Sequence, residues 1–142
     1  MVDQAATREF AATYPARTVA IADARRELSV WLRENGVPPD VHEELLVVLS
    51  ELLANAVAAS VDEHQQAAVA AHMDADCVVL EVTNPPASEF SLVDRYDYDD
   101  PLRPGGRGLV IVESLVDDLA IVPPDQDRSL SVRCRRQLRP LG

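Results

Sequence analysis

Lysine is absent from the chain: all thirteen of its cations are arginines, set against 24 acidic residues, which leaves a formal net charge of −11. Such a surface repels phosphate backbones. Nucleic-acid binders carry a basic patch that releases counterions, and the candidate here is the tail with Arg128, Arg133, Arg135, Arg136 and Arg139. Direct binding to DNA or RNA is therefore not expected. Cysteine is scarce as well. Cys77 and Cys134 lie in apolar-alternating stretches without a Cys-x-x-Cys pair, and no secretory signal opens the sequence, so reduced thiols in a cytoplasm are expected. No apolar run approaches the roughly 20 residues that cross a bilayer, so no membrane span is expected. The three histidines, His42, His64 and His72, have no metal-ligand spacing and read as surface or core residues. Aromatics number only six, and three of them, Phe90, Tyr96 and Tyr98, fall in one hydrophilic stretch.

What is present suffices for one domain covering residues 1–142. A chain of 142 residues buries roughly 70% of its unfolded surface, and 47% hydrophobic residues supply the material. Residues 8–14 form a weakly patterned strand before Pro15. Thr18 reads as an N-cap, after which Ile21, Ala24, Leu28, Trp31 and Leu32 recur at helical spacing until Gly36, Pro38 and Pro39. Trp31 is expected to pack this helix against the next. Asp40 opens that second helix, and from Val41 to about Ser60 the positions Val41, Leu45, Leu49, Leu52, Leu53 and Ala56 make one apolar stripe. Two strands follow, about 66–73 and 77–83, joined as a hairpin by the turn 74–76.

Residues 84–106 break every periodicity, with Pro85, Pro86 and Pro104 near the ends and Gly105 and Gly106 closing the segment. A loop of this length is more often a lid or binding segment than a plain connection, and its lid-like part spans about 85–105. Between Glu89 and Asp100 it carries five carboxylates and one arginine, a local charge of −4, interleaved with Phe90, Leu92, Val93, Tyr96 and Tyr98. Aromatics beside acids suit a protein-binding edge; charges turned to solvent are the plainer alternative. Helical spacing resumes from Gly108 to about Val116. A second hairpin, 119–122 with 129–136, ends the chain, its arginines alternating with Val132 and Cys134 and read as a solvent face. Hairpin-paired strands with helices on one face predict an α+β two-layer sandwich whose mixed sheet is mostly antiparallel.

Three elements have chemical potential. Glu51 and Asn55, four apart in ELLANAV, project from the same helix face. A carboxylate accepts a proton from an attacking hydroxyl, and an amide oxygen is a hard ligand suited to Mg²⁺. In PGGRGLVIVESLVDD a glycine-rich turn runs into a helix start, where free N–H groups favour phosphate and Arg107 or Arg103 could add a guanidinium. LEVTNPP ends a strand at Asn84 and turns on two prolines. Each element alone has an ordinary structural reading: a solvated helix face, a flexible loop end, a turn.

In this order the three resemble the GHKL-type ATP-binding fold, and specifically the small anti-sigma-factor serine kinases of bacteria, over nearly the whole chain. The resemblance implies that Asn55 binds Mg²⁺, that Glu51 is the catalytic base, and that Gly106, Gly108 and Leu109 support the nucleotide phosphates through their backbones, beside Arg107. Asn84 stands where the family has an aspartate that recognises the adenine amino group, and Pro85 and Pro86 stand where it has glycines. The implied cofactors are ATP and Mg²⁺. The implied partners are a sigma factor and/or an anti-anti-sigma protein of STAS type whose serine is phosphorylated, and homodimer formation as in relatives is left open. A protein-binding module of the same fold with weak or no nucleotide binding is the alternative.

Overall fold

The computed structural model of the chain describes residues 8–60, 64–84, 106–122 and 130–138. Among them the order is β1 (Glu9–Pro15), α1 (Ala20–Glu34), α2 (Pro39–Ala59), β2 (Gln66–Asp74), β3 (Cys77–Thr83), α3 (Gly106–Leu115), β4 (Asp118–Val122) and β5 (Ser131–Gln137). The strands form one sheet in the order β1-β2-β3-β5-β4, and every neighbouring pair is antiparallel. The expected α+β sandwich is thus observed, with a sheet that is antiparallel throughout its described pairs. The expected lid at about 85–105, with its acidic and aromatic residues, lies outside the described residues.

Strand alternation sorts the side chains onto two faces. Across the sheet, Phe10, Ala71, Leu80, Cys134 and Leu119 share one row, and Ala12, Val69, Val82, Val132 and Ile121 share the next. These rows meet the buried stripe of α2, in which Val41, Leu45, Val48, Leu49, Leu52 and Ala56 are fully or almost fully enclosed. On the opposite face Arg133 and Arg135 stand in solvent and pair with Glu81 and Asp74, at 3.0 and 2.8 Å. The helices therefore cover one face, because only one face is apolar.

Local signals explain the helix ends. Gly36 adopts φ +72°, where a side chain is disfavoured; its N–H donates to Arg33 O and that of Val37 donates to Leu32 O, both at 3.1 Å. This paired closure, with Val37 packed into the core, terminates α1. α2 starts one residue earlier than expected, with Pro39 in the first turn, where a missing N–H costs nothing. Thr18 does not cap α1. The helix is entered through Val19 without a side-chain hydrogen bond, while the Thr18 carbonyl accepts from Ile21 N–H. Trp31 is buried toward the sheet: its ring lies 6.1 Å from that of Phe10 on β1. Between the two long helices, Ser29 Oγ meets His42 Nε2 at 2.8 Å, so His42 is a structural link.

Candidate functional site

Residues Glu44, Val48, Glu51 and Asn55 recur at four- and three-residue intervals and so line one flank of α2. α3 packs against α2 and contributes Val112 to the core. At the lower end of the molecule, Arg136 of β5 donates to Glu44 Oε1 from Nη2 at 2.7 Å and from Nε at 3.2 Å. Its Nη1 donates to Gln137 O at 2.7 Å and lies 3.9 Å from Asp117 Oδ2. Asp117 also accepts from Gln137 N–H at 2.7 Å, and its own N–H donates to Arg135 O at 2.8 Å. This cluster pins the exit of α3 to the sheet and to α2.

The cluster corrects one expectation. Arg133 and Arg135 are on the solvent face as expected, but Arg136 is 4% exposed and points inward. Position 136 shares the alternation phase of Val132 and Cys134, so a charged residue in the apolar phase was the available signal. Its guanidinium is tolerated there because two carboxylates and a carbonyl oxygen surround it.

The upper end is defined by strand pairing. α2 ends at Ala59, β2 begins at Gln66, and Ala68 pairs with Thr83, so the end of β3 and the second half of α2 lie at the same edge. Asn55 is 9% exposed there and Glu51 is half-buried. Asn84 continues the inward phase of Val78, Leu80 and Val82 and is 3% exposed. Its backbone N–H donates to Leu130 O at 2.8 Å, extending the ladder one residue past the strand. Its side-chain Nδ2 has no hydrogen-bond partner, the only such buried side-chain atom among the described residues.

α3 differs in detail from expectation. Gly106, Arg107, Gly108 and Leu109 form its first turn, rather than a turn ahead of it. With its exit fixed at the lower edge, ten residues at 1.5 Å per residue place its start up to about 15 Å away. The residues leading into it, Arg103 and Gly105 included, lie outside the described residues. Thus Glu51 and Asn55 share a flank of α2, Asn84 lies at the end of β3 on the same edge, and the backbone of 106–109 opens the helix packed against α2.

Two titratable groups of the core are displaced from their usual range. Burial pushes the Cys134 thiol up to about 12. Burial raises the Tyr14 phenol too, reinforced by the hydrogen bond it donates to Glu27 Oε1 at 2.6 Å.

A five-stranded antiparallel sheet covered on one face by three helices is the α+β two-layer architecture of this chain. Residues 14–133 match the histidine kinase-like ATPase domain, and the chain belongs to that family. Two solved structures share the fold. One contains the RsbU and RsbW domains of Rv1364c from Mycobacterium tuberculosis, with TM-score 0.70, 22% identity and 94% of this chain covered. The present chain spans 34% of that protein's length. The other is the SiaB–SiaC complex from Pseudomonas aeruginosa, with TM-score 0.67, 20% identity, and 90% of this chain and 89% of that chain covered. No curated protein sequence matches the chain. Among the described residues no helix is long and apolar enough to cross a membrane.

Proposed function

We propose that this chain is an ATP-binding regulatory domain that acts on a protein partner. The observation that carries the nucleotide is the pair of buried amides, Asn55 and Asn84, at one edge of the sandwich, the second with an unpartnered donor. Buried amide groups are ordinarily satisfied within the chain. An unpaired one at the open edge fits the polar rim of a nucleobase, and Asn55 supplies a hard oxygen suited to Mg²⁺. In this reading Asn84 contacts the base, Asn55 holds Mg²⁺, and the backbone of Gly106, Gly108 and Leu109 supports the phosphates, with Arg107 beside them. Bound MgATP supplies the transferable phosphoryl group, and Glu51 orients or deprotonates a serine hydroxyl brought by the partner.

The partner is proposed as a sigma factor and/or an anti-anti-sigma protein of STAS type. Support comes from the resemblance in ELLANAV and GGRGLVIVESLVDD. The likeness of fold to an RsbW-containing protein and to the SiaB–SiaC complex, the second a protein–protein assembly, agrees with it. Residues Asn84, Pro85 and Pro86 favour a second reading, a partner-binding module that works without nucleotide.

Calorimetric titration with MgATP and MgADP separates the two. Saturable micromolar binding, weakened at least about tenfold in Asn55→Ala, is expected for the first reading. No heat up to millimolar nucleotide, from a folded protein, refutes it and leaves the second. Phosphotransfer to a candidate partner, abolished in Glu51→Ala, then tests the kinase step.

A further inference from the structure

The unpartnered Nδ2 of Asn84 bears on which base the site accepts. A carboxylate at the end of β3 would only accept hydrogen bonds, so it would take an amino group and repel a carbonyl oxygen. An amide has one acceptor and one donor side by side. The hydrogen-bonding edge of a 6-aminopurine offers a donor at position 6 beside a ring-nitrogen acceptor. A 6-oxopurine offers the reverse, an acceptor oxygen beside a ring N–H. Turning the amide half a revolution about Cβ–Cγ exchanges Oδ1 and Nδ2, and so converts the complement of one edge into the complement of the other.

In most buried asparagines that turn is blocked, because a fixed partner holds Nδ2. Here the backbone is fixed, through Asn84 N–H to Leu130 O at 2.8 Å, while the side-chain donor is held by nothing among the described residues. The residue is also 3% exposed, so the spare donor lies inside the fold. The amide is therefore anchored in place with its donor unspent.

We infer that Asn84 gives the site a relaxed choice of base, accepting 6-oxopurine nucleotides of the guanine and hypoxanthine class as readily as 6-aminopurine nucleotides. This rests on the nucleotide-binding reading above and names the substrate class of the same site. Both bases form two hydrogen bonds to one neutral amide, so neither gains an advantage at position 6.

The test compares MgATP with Mg-inosine triphosphate, which differs at position 6 and lacks the extra 2-amino group of guanine. Dissociation constants for the full chain within about tenfold of one another are expected. Asn84→Asp is expected to prefer ATP by more than about tenfold over the ratio of the parent, since the carboxylate faces the oxo group without a donor. ATP binding with inosine triphosphate more than about tenfold weaker in the parent chain overturns relaxed choice and leaves the nucleotide site standing. An unchanged ratio in a folded Asn84→Asp overturns the role of this residue. Failure of both nucleotides to bind overturns this inference together with the reading it rests on. Should Asn84→Asp not fold, as judged by thermal melting, the ratio in the parent chain decides alone.

Discussion

Replacing Glu44 by alanine strips the buried Arg136 of its main counter-charge. Arg136 would retain only the Gln137 carbonyl at 2.7 Å and Asp117 at 3.9 Å, and two donors now directed to Glu44 Oε1 would lose their acceptor. Breaking a fully buried pair costs roughly 3–5 kcal/mol. The Glu44 side chain is 35% exposed, so water partly replaces it, and a loss of about 2 kcal/mol follows. For a domain of this size that lowers Tm by roughly 8 °C. Arg135→Ala is the control. It removes a cation one residue away on the same strand, but from a pair whose side chains are 45% and 49% exposed, where the expected loss is at most about 1 kcal/mol. Thermal melting by circular dichroism reads both variants. The double variant Glu44→Leu/Arg136→Met, which replaces the pair by apolar groups, is expected to recover most of the loss. Equal shifts for Glu44→Ala and Arg135→Ala, or no recovery in the double variant, would refute the account of Arg136 as a buried, charge-satisfied clamp.

Other outcomes follow from the core. The Tyr14 phenol is raised above its ordinary value in the fold, so the folded chain keeps its proton where the unfolded chain has lost it. Its contribution is fully present below about pH 10 and is lost as pH rises beyond that, so urea midpoints decline on the alkaline side. Tyr14→Phe should flatten that decline; an unchanged slope would show that another group causes it. Cys134, buried and raised to about 12, should resist iodoacetamide at pH 8 in the native state and react once the chain is unfolded in urea. Labelling at equal rates in both states would contradict its placement under α2. The nucleotide titration with Asn55→Ala and the base comparison with Asn84→Asp complete the set.

Much of the architecture was legible because local rules and packing agree. Alternation along β2, β3 and β5, the stripe of α2 and the glycine at position 36 each state a structure and also serve it. Glu51 and Asn55 were legible as a pair because helix geometry alone puts residues four apart on one face. The boundaries that slipped are those where several residues serve equally well. Val19 instead of Thr18 precedes α1, and the α3 helix reaches back to Gly106.

By itself the sequence determined the composition of the core, the order of elements and the one-sided apolarity that places all the helices on the same layer. Periodicities of two and 3.6 residues are short-range properties, and a single chain displays them without its partners. Tertiary structure alone decided that β3 pairs with β5 and that β4 lies at the edge, since pairing joins residues far apart in the chain. It decided too that Arg136 meets Glu44, 92 positions away, and that Asn84 is enclosed with its donor unsatisfied. Burial and hydrogen-bond satisfaction depend on what other segments bring to a residue, and no local pattern carries that information.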